Sequence, residues 1–125
     1  SIDAEKFFRG MFETCLKSTE VIEAIEFAIP EKSSYQKLPN PASRYAIVGV
    51  YVAQHKTGIN VGVTGAKSCV YNDKDLVGAL TKNFSSSSID NVKISSSGMN
   101  SDIHASAEYR ANMIKVFAKK AVEAC

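Results

Sequence analysis

Tryptophan is absent from this chain of 125 residues, histidine occurs twice and cysteine three times. His55 and His104 stand apart from any further soft ligand at metal-binding spacing, so neither marks a metal centre. Each reads as a surface or capping residue. Cys15, Cys69 and Cys125 are odd in number, widely separated and without a Cys-x-x-Cys pair. No disulfide framework or zinc site is expected from them, and a cytoplasmic location is. No apolar run is long enough to span a bilayer. Ser1 to Gly10 carries Asp3, Glu5, Lys6 and Arg9 and has no signal-peptide core. The chain begins without an initiator Met, and an excised piece of a longer protein is the expectation. There is no Walker loop, no Gly-x-Gly-x-x-Gly and no His-Glu-x-x-His. No catalytic residue is assigned, and the isolated chain is not expected to be an enzyme.

What is present suits one domain. Apolar residues make up 45% of the chain, enough for a core at this length. The net charge of +2 is unevenly spread. Residues 1–31 hold seven acids and three bases, and residues 32–125 hold six acids and twelve bases. Such an asymmetry fits a docking face or an ordinary solvated surface. The C-terminal Lys115, Lys119 and Lys120 lack interleaved aromatics, so they read as a solvated helix face and not as a nucleic-acid site.

Hydrophobic periodicity predicts the elements. Residues 1–20 read as an irregular or partly helical lead-in, too aromatic at Phe7, Phe8 and Phe12 for a free tail. Val21 to Ile29 alternates with a period near two and predicts a strand that Pro30 stops. Ser34 to Leu38 is a second strand, and Tyr45 to Gln54, uncharged and β-branched, a central third. Lys56-Thr57-Gly58 turns it into a fourth over Ile59 to Thr64. Asn72 or Asp73 caps a helix through Leu76 and Leu80. Ile89 to Ile94 forms a helical turn or two. Ser106 caps a last helix with an apolar stripe of Tyr109, Met113, Val116, Phe117 and Ala121, leaving Arg110 in water. The fold class is therefore α+β: a small antiparallel β-sheet of three to four strands, covered on one face by helices, with a long C-terminal helix.

One loop stands out for function. Tyr35 to Ala46 sets two tyrosines, Lys37 and Arg44 around Pro39-Asn40-Pro41, just ahead of the central strand. Aromatic faces and cations suit a planar, electron-accepting ring. By composition alone the segment is also an ordinary surface loop.

At this loop the sequence resembles a known family. Phe7-Phe8-x-Gly10, Thr14-x-Leu16 and Glu20-Val21-Ile22 form one block. Tyr35-x-Lys37 with Ser43-x-Tyr45-Ala46-Ile47-Val48-Gly49-Val50 forms a second. Ser101-Asp102-x-x-x-Ser106-x-Glu108-Tyr109-Arg110 forms a third. In this order and spacing they resemble the C-terminal domain of the FAD-binding medium subunit of carbon monoxide dehydrogenase and xanthine dehydrogenase-type molybdenum hydroxylases. The sequence departs from many members at Pro39, Asn40 and Arg44, so no contact made from those positions is carried over.

The resemblance implies the following. Residues 1–20 lead in from a missing N-terminal FAD-binding domain, and residues 21–125 form the single α+β domain. The full subunit carries FAD, and this domain forms one wall of its pocket. Tyr35 or Tyr45 shields a ring face, and Lys37 stabilises charge on reduced flavin. The molybdenum cofactor and iron–sulfur clusters belong to partners, a molybdenum large subunit and an iron–sulfur small subunit. A different reading keeps the fold and drops the redox role, leaving a stand-alone interaction module. The two differ in what they expect of residues 1–20 and 35–45. A stand-alone module buries them, whereas a domain missing its neighbour leaves them bare.

Overall fold

The computed structural model describes all of residues 1–125. The lead-in is a short helix α1 (Ala4–Phe7) followed by strands β1 (Phe8–Gly10) and β2 (Glu13–Thr14), which pair with each other. Strands β3 (Lys32–Pro39), β4 (Ala46–His55), β5 (Gly58–Thr64) and β6 (Tyr71–Asn72) form an antiparallel meander in that order. Helix α2 (Lys74–Lys82), a 3₁₀ turn (Ser86–Ile89) and helix α3 (Ala107–Glu123) follow. No helix is long and apolar enough to cross a membrane.

The sheet's two faces follow from alternation. Val48, Val50 and Val52 on β4 and Val61 and Val63 on β5 point to one side, and all five are fully buried. Leu76 and Leu80 of α2 cover that side, with Ile89 and the α3 residues Ile114, Phe117, Ala118, Ala121 and Val122. The alanines keep α3 slim where it lies on β3 and β4, and α2 lies on β5. Ile114 sits wholly inside this cluster, so Ile114→Ala would cost about 2–5 kcal/mol. The opposite side of the sheet carries Tyr35, Lys37, Gly49, Tyr51, Gly62 and Thr64, as the strand register requires.

Both long helices start where the sequence places them. The Asp73 carboxylate accepts the Leu76 N–H at 3.1 Å, and the Ser106 hydroxyl accepts the Tyr109 N–H at 3.2 Å. Each side chain satisfies a donor the first turn leaves free.

Several expectations are corrected. Val21 to Ile29 forms no strand, and residues 21–30 make no backbone hydrogen bond at all. The alternation is real, but β3 forms the sheet edge without a partner from this segment. The helical turn falls at Ser86–Ile89, ahead of Ile89 to Ile94. The brief strand β6 was not foreseen. On α3 the buried face is rotated from the predicted stripe: Tyr109 and Val116 are exposed, and Arg110, expected in water, is buried with 4% exposure. Lys115 and Lys119 are not free in solvent either. Lys115 bonds the Asp90 carbonyl and Lys119 pairs with the Asp90 carboxylate, tying α3 to the end of the 3₁₀ turn. The Lys119 contact, above all, holds the Asp90 carboxyl below its ordinary pKa.

Candidate functional site

The link between β3 and β4 is a closed turn. Asn40 donates its N–H to the Tyr45 carbonyl at 2.7 Å, and Arg44 donates to the Asn40 carbonyl at 2.9 Å. The Asn40 side-chain oxygen accepts the N–H groups of Ala42 and Ser43 at 2.9 and 3.2 Å. This is the local bonding that makes asparagine a turn residue, and Pro41 supplies the fixed φ that follows it. Arg44 takes a left-handed conformation (φ 64°) that reverses the chain into Tyr45.

This turn brings the three predicted residues together. Tyr35, Lys37 and Tyr45 line one shallow depression of about 490 Å³, with Ser43, Arg44, Ala46, Thr64 and Gly65. Tyr35 and Lys37 share a face because they are two residues apart on β3. Lys37 Nζ donates to the Arg44 carbonyl at 3.0 Å, which fixes its ammonium at the rim. Tyr45 is 82% exposed, so its ring is held by backbone position and not by packing.

Gly49 lies opposite Lys37 on one side and opposite Thr64 on the other. A Cβ there would stand 2.2 Å from the Tyr35 hydroxyl. The Tyr35 side chain therefore crosses β4 over the one position without a side chain. Tyr51 sits directly opposite Tyr35 in the register and is also exposed. Sequence reasoning missed Gly49, Tyr51 and Thr64. The available signal was the odd-numbered face of β4, which carries Gly49 and Tyr51 while the middle of the even-numbered face carries Val48, Val50 and Val52.

A second depression of about 470 Å³ adjoins the first, sharing Ser43, Tyr45, Ala46 and Gly65 and adding Met11, Asn100, Asp102, His104 and Arg110 among others. Arg110 Nη1 donates to the carbonyls of Ile47 at 2.5 Å and Gly65 at 3.1 Å, and Nη2 pairs with Asp102 at 2.7 Å. Its Nε is buried without a partner. The other Asp102 oxygen accepts the N–H groups of His104 and Ala105 at 2.9 and 3.1 Å. The His104 N–H above all holds the Asp102 carboxyl below its ordinary pKa; desolvation opposes it, and the Ala105 N–H and the Arg110 guanidinium add to the lowering. His104 and the cysteines join no metal-binding cluster.

The fold is thus an α+β domain, a four-stranded antiparallel sheet with helices on one face and an aromatic, cation-bearing depression at one end of the other. No protein-family profile and no curated protein sequence matches the chain. Solved structures do. A reconstituted CO dehydrogenase from Oligotropha carboxidovorans superposes with a TM-score of 0.80 at 22% identity, over 98% of this chain. A cyanide-inactivated Cu,Mo-CO dehydrogenase superposes with a TM-score of 0.78, also at 22% identity and over 98% of this chain. In both cases the match covers 47% of the solved chain, so this chain spans about half the length of the proteins it resembles. The resemblance to carbon monoxide dehydrogenase read from the sequence extends to the fold.

Proposed function

We propose that this chain is a C-terminal domain of the flavoprotein subunit of a molybdenum hydroxylase-type oxidoreductase, forming one wall of an FAD pocket and part of a subunit docking surface. The observation that carries the reading is the gathering of Tyr35, Lys37 and Tyr45 around a single depression. The fold shared with CO dehydrogenase chains of about twice this length supports it. Residues 1–20 are then a lead-in from a preceding FAD-binding domain, and residues 21–125 the domain itself. An iron–sulfur subunit and a molybdenum subunit are the partners, with their clusters and cofactor.

The residues present fit a flavin ring and not a whole dinucleotide. Tyrosine faces and one ammonium suit a planar ring that gains negative charge on reduction. The phosphates need a cradle of backbone N–H groups, and no glycine-rich loop of that kind is in the sequence. FAD would supply the electron chemistry. Tyr35 or Tyr45 would cover one ring face and exclude water, and Lys37 would hold positive charge at the rim.

Exposure favours this reading over a self-contained interaction module. Such a module would bury residues 1–20 and the 35–45 loop, whereas Met11, Phe12, Tyr35 and Tyr45 are exposed.

The test is a flavin spectrum and redox titration of the native protein that contains this domain. Bound flavin is expected, and Lys37→Ala should lower its potential by roughly tens of millivolts, because the lost cation no longer favours the reduced anion. A native protein purified without flavin, or a potential indifferent to Lys37, overturns the proposal.

A further inference from the structure

Arg110 is the one charged side chain buried in this domain. It sits in the first turns of α3, where the helix dipole disfavours a cation. Burial adds a desolvation cost that only close partners offset. Both effects predict a lysine or arginine turned out to water, and α3 shows the opposite. The partners explain the position. One guanidinium reaches three segments at once: β4 at Ile47, the end of β5 at Gly65, and the loop before α3 at Asp102.

The same junction is held from other directions. Gly65 has φ 77°, and a Cβ there would stand 2.4 Å from the Ala46 carbonyl oxygen, so the two strand ends are in direct backbone contact. Asn100 donates its side-chain N–H to the Gly65 carbonyl at 3.2 Å and its backbone N–H to the Ala66 carbonyl at 2.8 Å. Ala46 and Gly65 line the depression that holds Tyr35, Lys37 and Tyr45. Arg110 itself does not line that depression. It binds the backbone immediately behind it.

We infer that Arg110, aligned by Asp102, is a positioning residue for the ring-binding wall: it sets the spacing between the start of β4, which Tyr45 immediately precedes, and the end of β5, which carries Thr64. This rests on the flavin reading above for the identity of the ring, and on the geometry alone for the clamp. A lysine cannot reproduce it, because a single ammonium lacks the planar fork that serves three acceptors in fixed directions.

The experiment uses the native flavin-bearing protein and its Arg110→Lys and Asp102→Asn variants, with two measurements on each. The first is amide hydrogen exchange. Amides of residues 45–47 and 65–67 should exchange about tenfold faster in Arg110→Lys, as expected for loss of a charge-assisted bond, with residues 50–53 unchanged. The second is the visible circular dichroism of the bound flavin, which reports the asymmetry of the ring's surroundings. It should change in Arg110→Lys and change less in Asp102→Asn, which keeps the fork on both carbonyls. Faster exchange with an unaltered flavin signal makes Arg110 merely structural and overturns the positioning role. Unaltered exchange overturns the clamp. A native protein without flavin removes the functional reading and with it the positioning role, while the exchange rates still decide the clamp. If Arg110→Lys does not fold, Asp102→Asn carries both measurements, and no change in either sinks the inference.

Discussion

The Tyr35 hydroxyl lies 3.5 Å from the Thr64 hydroxyl, two strands away, and the tyrosine reaches it by passing over Gly49 of the strand between. Each part of this arrangement depends on the others. A methyl group at position 49 would meet the Tyr35 hydroxyl at 2.2 Å and the Thr64 hydroxyl at 2.6 Å. Gly49→Ala is therefore expected to destabilise the domain by about 1–2 kcal/mol, read as a lower urea midpoint. The cost should shrink in a Tyr35→Ala background, where the main obstacle is gone. Equal costs in the two backgrounds would show that the ring does not occupy this path.

How much of this was visible beforehand varied with the kind of signal. The valines of β4 and β5 are a period-two signal and the helix caps a local one, so both are legible in the sequence, Ser106 directly and Asp73 as one of two candidates with Asn72. Tyr35, Lys37 and Tyr45 line one depression, and what singles them out in the sequence is the family resemblance together with aromatic and cationic residues around a turn. Arg110 was misplaced because a helical wheel treats any arginine as solvent-facing. Its burial depends on two carbonyls and a carboxylate contributed by β4, the end of β5 and the preceding loop. Val21 to Ile29 was misread for the same reason in reverse. Its alternation is that of a strand, but strand formation needs a partner edge, which a sequence window does not contain.

The caps can be tested individually. Asp73→Ala and Ser106→Ala each leave a first-turn N–H without its side-chain acceptor. Each should cost about 1 kcal/mol, and the double variant the sum, since the two residues cap different helices. A cost near zero for Ser106→Ala would mean that α3 is anchored by Arg110 and not by its cap.

Acid should act through Asp102 and Asp90. Both carboxyls are held below their ordinary pKa. A group whose folded pKa is depressed binds fewer protons when folded than when unfolded, so its stabilisation is complete above the unfolded value of about 3.9 and falls away as the pH drops through the folded value. Unfolding midpoints measured from about pH 6 downward should thus hold steady at first and fall below about pH 4. Asp102→Asn should lower stability at neutral pH by removing the partner charge of Arg110, and should flatten the acid limb. An acid limb as steep in the variant as in the parent would assign the pH dependence to other carboxylates.

The segment from Val21 to Ile29 makes a prediction opposite in sign to those for the core. Val21, Ile25, Phe27 and Ile29 are largely exposed, with Phe27 at 84% and Ile29 at 92%. Since they bury little, substituting them removes almost no transfer free energy from this domain. Ile25→Lys with Phe27→Lys should leave the unfolding midpoint of the 125-residue chain within about 0.5 kcal/mol of the parent. The same pair should reduce binding of a hydrophobic dye and self-association at high concentration, because bare β-prone backbone with apolar side chains is a template for pairing with another chain. In the native protein the outcome should reverse. There the proposed preceding domain covers these side chains, and two lysines should destabilise the protein and weaken its flavin binding. Loss of stability in the 125-residue chain would instead mean that the segment packs against its own domain, and that the bare surface lies elsewhere.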